Sequence, residues 1–174
     1  IGWVIYLAVG AAAAFMLGTT RVHAHPVTPA LRAQITAPVH KMHDGPNSCS
    51  VVMIAPERAL TAAHCLFVME SPVVTIEDYD YVVTEGYAAS PRDIAILFIP
   101  GAPCPCAWIA NTAVEEGDWL AAVGYPYSIA RVVTYGEMQG RIIYEEDGLE
   151  YLLTTTLGAP GNSGGGVFNE YGDL

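Results

Sequence analysis

From residue 34 onward the chain is a succession of short β-rich runs separated by turn residues. This rhythm restricts it to an all-β barrel or sandwich. The spacing predicts strands near 34–40, 49–56, 59–62, 72–77, 79–87 and 93–99, then a second group near 118–124, 130–144, 149–156 and 165–169. A linker rich in proline and cysteine, Pro100 to Asn111, separates the groups, and Asp147-Gly148 marks a hairpin turn inside the second. A chain of 174 residues buries one sizeable core or two small ones. With 52% hydrophobic and 14% charged residues it is not a disordered chain.

Three short motifs are embedded in this pattern. The first is Thr61-Ala62-Ala63-His64-Cys65, at the end of a strand–turn–strand run. The second is Asp93, opening the run Ile94 to Ile99, read here as a buried strand. The third is Gly161-Asn162-Ser163-Gly164-Gly165. A serine hydroxyl is a poor nucleophile at neutral pH. It needs a base within hydrogen-bond reach, and that base needs a third group to fix its tautomer and stabilise its charged form. The tetrahedral intermediate of acyl transfer needs backbone N–H donors aimed at its oxyanion. Glycine at 161 lets the backbone take a conformation denied to residues with a Cβ, so that its N–H can turn into such a site. Alone, the Gly/Ser cluster reads as a loop. Together, His64, Asp93 and Ser163 supply base, orienting carboxylate and nucleophile, each in a fitting local context.

The chain order His, Asp, Ser is that of the chymotrypsin arrangement, not of subtilisin or the α/β-hydrolases. From about residue 47 to its end the chain resembles a trypsin/chymotrypsin-like serine protease, with spacing most similar to the bacterial HtrA-type enzymes. The runs Gly117-Asp118-Trp119-Leu120-Ala121-Ala122-Val123-Gly124-Tyr125-Pro126 and Val132-Val133-Thr134-Tyr135-Gly136-Glu137-Met138 look like the first two strands of the second barrel of those enzymes. The resemblance implies two six-stranded antiparallel Greek-key barrels. Residues 25–112 would form the first, carrying His64 and Asp93, and residues 113–174 the second, carrying Ser163. It implies an oxyanion hole made by the N–H groups of Gly161 and Ser163. It places Leu157, six residues ahead of the nucleophile, at the base of a substrate pocket with Gly158, Ala159 and Pro160. No carboxylate stands there to receive Arg or Lys, so the expected preference is for small or medium apolar residues before the scissile bond. A disulfide between Cys49 and Cys65 is likewise implied, contributing on the order of 3 kcal/mol; two buried free thiols are the alternative. The expected substrates are proteins or peptides, and neither a metal nor an organic cofactor is required.

The sequence departs from the family in several places. Only eleven residues follow Ser163, too few for the two further strands of a complete second barrel, so the expectation is a fragment with a truncated second barrel. Asn162 stands where trypsin-type zymogens carry an Asp that pairs with a newly released N-terminus, and no Ile-Val-Gly-Gly sequence precedes the barrel. Activation of that kind is therefore not expected. Cys104 and Cys106 have no family counterpart; a bridge between them closes a tight ring, and a zinc site lacks ligands because no histidine lies beyond His64. His23, His25, His40 and His43 read as surface or leader residues rather than a metal site.

Residues 1–20 carry no charge and are nearly all apolar, an N-terminal apolar helix in either of two leading readings. A signal peptide over residues 1–24 is favoured by the small-x-small sequence Val22-His23-Ala24. An uncleaved membrane tether through residues 1–20 is the second reading, since about 20 apolar residues span a bilayer. A buried core helix is the third. The first two place the remainder outside the cytoplasm, secreted or periplasmic. A net charge of −11, with only seven Lys and Arg, argues against nucleic acid as a partner. The acidic runs Glu77-Asp78-Tyr79-Asp80 and Glu145-Glu146-Asp147 read as solvated turns, with an exosite for basic substrates as the alternative. A silent protease-fold binding module and a processing protease of viral type are the competing functions; oligomeric state is not legible.

Overall fold

The computed structural model describes residues 27–89 and 91–174. Residues 1–24, read above as leader or tether, lie outside the described residues. Among the described residues no helix is long and apolar enough to cross a membrane.

The first element among the described residues is a helix, α1 (Pro29–Thr36), where the sequence rhythm predicts the strand 34–40. The cause is local. Thr28 caps the helix by accepting the Leu31 N–H at 3.1 Å, and Pro29 occupies the first turn, where its missing N–H costs nothing. Ile35 is fully buried, so the run that mimics a strand start is one apolar stripe of a helix.

The first sheet follows. It comprises β1 (Val39–Asp44), β2 (Asn47–Ala55), β3 (Arg58–Thr61), β4 (Val73–Ile76), β5 (Tyr79–Val82), β6 (Glu85–Ala88) and β7 (Ala95–Phe98), with a short helix α2 (Ala63–Phe67) after β3. The strand order is β5-β4-β1-β2-β3-β7-β6, all antiparallel. The predicted strand 79–87 is thus divided between the two edges. The Val83 N–H donates to Pro72 and the Thr84 N–H to Phe98, both at 3.0 Å, so one strand changes partners in mid-run and closes the sheet on itself. Counted this way the barrel has six strands, and closure removes the open edges.

The second sheet comprises β8 (Trp119–Gly124), β9 (Val132–Ile143), β10 (Glu150–Thr154) and β11 (Gly166–Phe168), in the order β10-β9-β8-β11. This repeats the order β3-β2-β1-β4 of the first sheet, so the two halves share one Greek-key plan, the chymotrypsin-like double barrel. The hairpin predicted at Asp147-Gly148 joins β9 to β10, with Gly148 at φ +67.

Among the described residues two cores result, and β2 serves both. Its period-2 alternation sends Cys49, Val51 and Met53 into the first barrel, against Met42, Val74, Ile76 and Leu97. Val52, on the opposite face, packs with Ile35, Val39, Trp119, Val123 and Phe168. Hence the continuous apolar run near residue 51: both faces of this strand are covered. The strand after Asp93 differs from the expected buried run. Ala95, Leu97 and Ile99 are buried while Ile94 and Ile96 face solvent, the alternation of a one-sided strand.

Candidate active site

Sheet register brings the first two motif residues together. Thr61 in β3 pairs with Ala95 in β7, so His64, three residues beyond Thr61, meets Asp93, two residues before Ala95. His64 lies on α2 between the buried Ala63 and Cys65, which leaves its own side chain outward. Cys65 forms a disulfide with Cys49 of β2, anchoring this short helix to the barrel wall. Asp93 grips His64 twice: its Oδ1 accepts the His64 backbone N–H at 2.8 Å, and its Oδ2 lies 2.6 Å from the ring Nδ1. Partial burial raises the Asp93 carboxyl. The backbone and ring hydrogen bonds from His64, the charge of that ring and the Ala63 N–H outweigh this, and the group sits below its ordinary value. The carboxylate therefore stays ionised, with Nδ1 engaged and Nε2 turned away from it. The imidazole is half exposed, 53%, which leaves room for a reacting group.

Ser163 comes from the other half of the molecule, three residues before β11. Its carbonyl accepts the Ser50 N–H of β2 at 2.7 Å, which ties the serine loop to the first barrel. The loop around it is held carbonyl by carbonyl. Pro160 accepts from the Tyr127 N–H at 2.7 Å, and Asn162 from the Gly165 N–H at 2.8 Å. Gly161 accepts from the Ser50 hydroxyl at 2.8 Å. The N–H of a trans peptide points opposite to its C=O. Fixing the Pro160 and Asn162 carbonyls therefore fixes the directions of the Gly161 and Ser163 N–H groups. The intervening Asn162 N–H is spent on the Ala159 carbonyl at 3.0 Å, whereas those of Gly161 and Ser163 meet no acceptor among the described residues.

Glycine is required at 161 for two reasons. Its φ is +95, and a Cβ there would lie 2.5 Å from the Tyr125 carbonyl oxygen. Asn162 packs its side chain against Gly124, with Oδ1 buried and unpartnered. A charged carboxylate at that place would be buried without a counter-ion.

Leu157, Gly158, Ala159 and Pro160 form the non-regular segment between β10 and Gly161, with Leu157 largely exposed and its carbonyl bonded to Thr134 Oγ1 at 3.0 Å. Two hollows flank Asp93. One of about 340 Å³ is lined by Arg92, Ile94, Glu150 and Tyr151, and one of about 300 Å³ by Leu60, Thr61, Gly164 and Gly165; neither includes residues 157–160. His40 is not a surface residue but is buried in β1 at 5% exposure. Burial, with help from the Arg131 charge, lowers it to about 4. His43 contacts Thr75 at 3.2 Å. Cys104 and Cys106 are paired with one another. Ligand atoms of Cys49, His64 and Cys65 lie within 4.8 Å of one another, but both sulfurs belong to the disulfide. Ser50, which ties the serine loop to β2, is not announced by the sequence; its signal is a hydroxyl inside the apolar run Cys49 to Ile54.

A double barrel with a histidine–carboxylate pair on one half and a glycine-bounded serine loop on the other defines a peptidase-type fold, and known proteins agree. Residues 49–174 match the trypsin-like peptidase domain family. The chain belongs to that family and is a domain of the serine-protease class. It is 27% identical over 127 residues to a probable periplasmic serine endoprotease, DegP-like, of Ectopseudomonas mendocina, covering 71% of this chain and 27% of that protein. With its counterpart from Pseudomonas savastanoi pv. phaseolicola it shares 29% over 119 residues, 66% of this chain and 25% of the relative. The chain thus spans about a quarter of the length of these relatives. Among solved structures, a serine-to-alanine mutant of Rv3671c from M. tuberculosis H37Rv, in its inactive form, superposes with a TM-score of 0.74 at 21% identity, over 85% of this chain and 77% of that one. The serine endoprotease from Yersinia pestis gives 0.72 at 23%, over 86% and 56%. At these identities the structures share the fold.

Proposed function

We propose that the protein is a serine endopeptidase that hydrolyses proteins or peptides outside the cytoplasm through His64, Asp93 and Ser163. The observation that carries this is the doubly bonded His64–Asp93 pair, which occupies Nδ1 and leaves Nε2 as the base. His64 takes the Ser163 proton as Oγ attacks the scissile carbonyl, and later delivers it to the leaving amine; Asp93 orients the ring and stabilises its charged form. The N–H groups of Gly161 and Ser163 bind the oxyanion, and water then hydrolyses the acyl-enzyme. Residues 157–160 line the subsite before the scissile bond, which accepts small or medium apolar side chains. Export through residues 1–24 agrees with the periplasmic naming of the relatives.

The test is hydrolysis of casein and of a peptide library by the full-length protein and by His64→Ala and Ser163→Ala. Each substitution is expected to lower kcat by about 10⁴–10⁶, and the double variant by no more than the worse single one. Wild-type protein that cleaves nothing, or losses that add, overturns the reading.

A further inference from the structure

We infer that Ser50 is a positioning residue for the oxyanion hole, a role that rests on the peptidase reading above. Ser50 is fully buried in β2, on the face that meets the second barrel, and it spends its N–H and its hydroxyl on the join. Its N–H donates to the carbonyl of Ser163 at 2.7 Å. Its hydroxyl donates to the carbonyl of Gly161 at 2.8 Å and accepts the Tyr125 N–H at 2.9 Å. Its carbonyl accepts the Thr61 hydroxyl at 2.8 Å, and Thr61 begins the segment that carries His64.

One side chain thus holds the peptide between the two oxyanion donors. The Gly161 carbonyl has the Ser50 hydroxyl as its partner, and the left-handed backbone of Gly161 (φ +95) leaves that peptide few steric barriers to rotation. Without the hydroxyl, a half-buried carbonyl loses its donor and the loop relaxes until it finds another. Turning that peptide pulls on the Pro160 and Asn162 carbonyl anchors on either side of it and shifts the Gly161 and Ser163 N–H groups relative to one another. The loss falls on the transition state, where the oxyanion exists, and spares substrate binding.

The experiment compares full-length wild type, Ser50→Ala and Ser50→Cys, the last keeping shape with a weaker donor. Steady-state kinetics on one peptide substrate is paired with the affinity of a peptide aldehyde, whose serine adduct carries the oxyanion. Thermal melts fix a working temperature at which each variant is folded. Ser50→Ala is expected to lower kcat about 10- to 100-fold with KM changed less than about threefold, short of the roughly 10²–10³ loss for removing an oxyanion donor outright. Aldehyde affinity should fall by a similar factor, with Ser50→Cys between the two; should Ser50→Ala not fold, the same split is read from Ser50→Cys. Folded variants with wild-type kcat and aldehyde affinity, while wild type is active, overturn this inference alone. An inert wild type overturns the peptidase reading and this inference with it.

Discussion

Asp93 and His64 carry the most local chemistry in this chain, and their geometry makes a sharp claim. The carboxylate, held below its ordinary value against the opposing effect of burial, remains charged well into acid. A general base acts only in its unprotonated form, so activity is expected to fall in acid while Asp93 is still ionised; a rate that does not fall in acid contradicts general-base catalysis. Asp93→Asn keeps the shape but swaps the acceptor facing Nδ1 for an amide, favouring the wrong tautomer. It should cost about 10⁴ in kcat, measured on the same peptide. Less than a tenfold loss removes Asp93 from the mechanism. At this scale the sequence is most informative, because motif residues announce themselves by their neighbours: Ala-Ala-His-Cys, Gly-Asn-Ser-Gly-Gly. Ser50 is not legible, because its partners lie in Tyr125, Gly161 and Ser163, more than seventy residues away.

Among the elements, β11 is short, yet it brings Phe168 into the second core, fully buried against residues of α1, β1 and β2. Phe168→Ala should destabilise by about 3–5 kcal/mol, read from the urea midpoint. A change under about 1 kcal/mol means that this core is formed some other way. Most strands are legible from alternation and turns. The helix α1 is not read that way, although Thr28-Pro29 is a cap followed by a first-turn proline, a signal that outweighs one apolar alternation. The division of residues 79–88 into β5 and β6 has no local signal at all. It follows from which strands lie on either side, a tertiary fact.

For the whole molecule, the join between the barrels is where stability meets pH. His40 sits in β1 beside a cleft of about 590 Å³ lined by Arg131, Lys41, Glu77, Asp78 and Tyr125. The unfolded chain takes up a proton near 6.5, the folded one near 4. Stability from this group is thus complete above 6.5, declines as pH falls, and is spent by about 4, a change of about 3 kcal/mol. His40→Leu should be less sensitive to acid than wild type over this window, read from urea midpoints at stepped pH. Equal slopes contradict the burial argument. The double barrel itself is foreseeable from the resemblance, but the depth of His40 is not, since the polar alternation of β1 looks like a one-sided strand.

The most direct test of the central claim is labelling of the full-length protein with a fluorophosphonate, followed by peptide mapping of the adduct. Only an activated serine reacts. The predicted result is one phosphonyl group, on Ser163, lost in His64→Ala and in Ser163→Ala. No adduct, or an adduct on another serine, contradicts it.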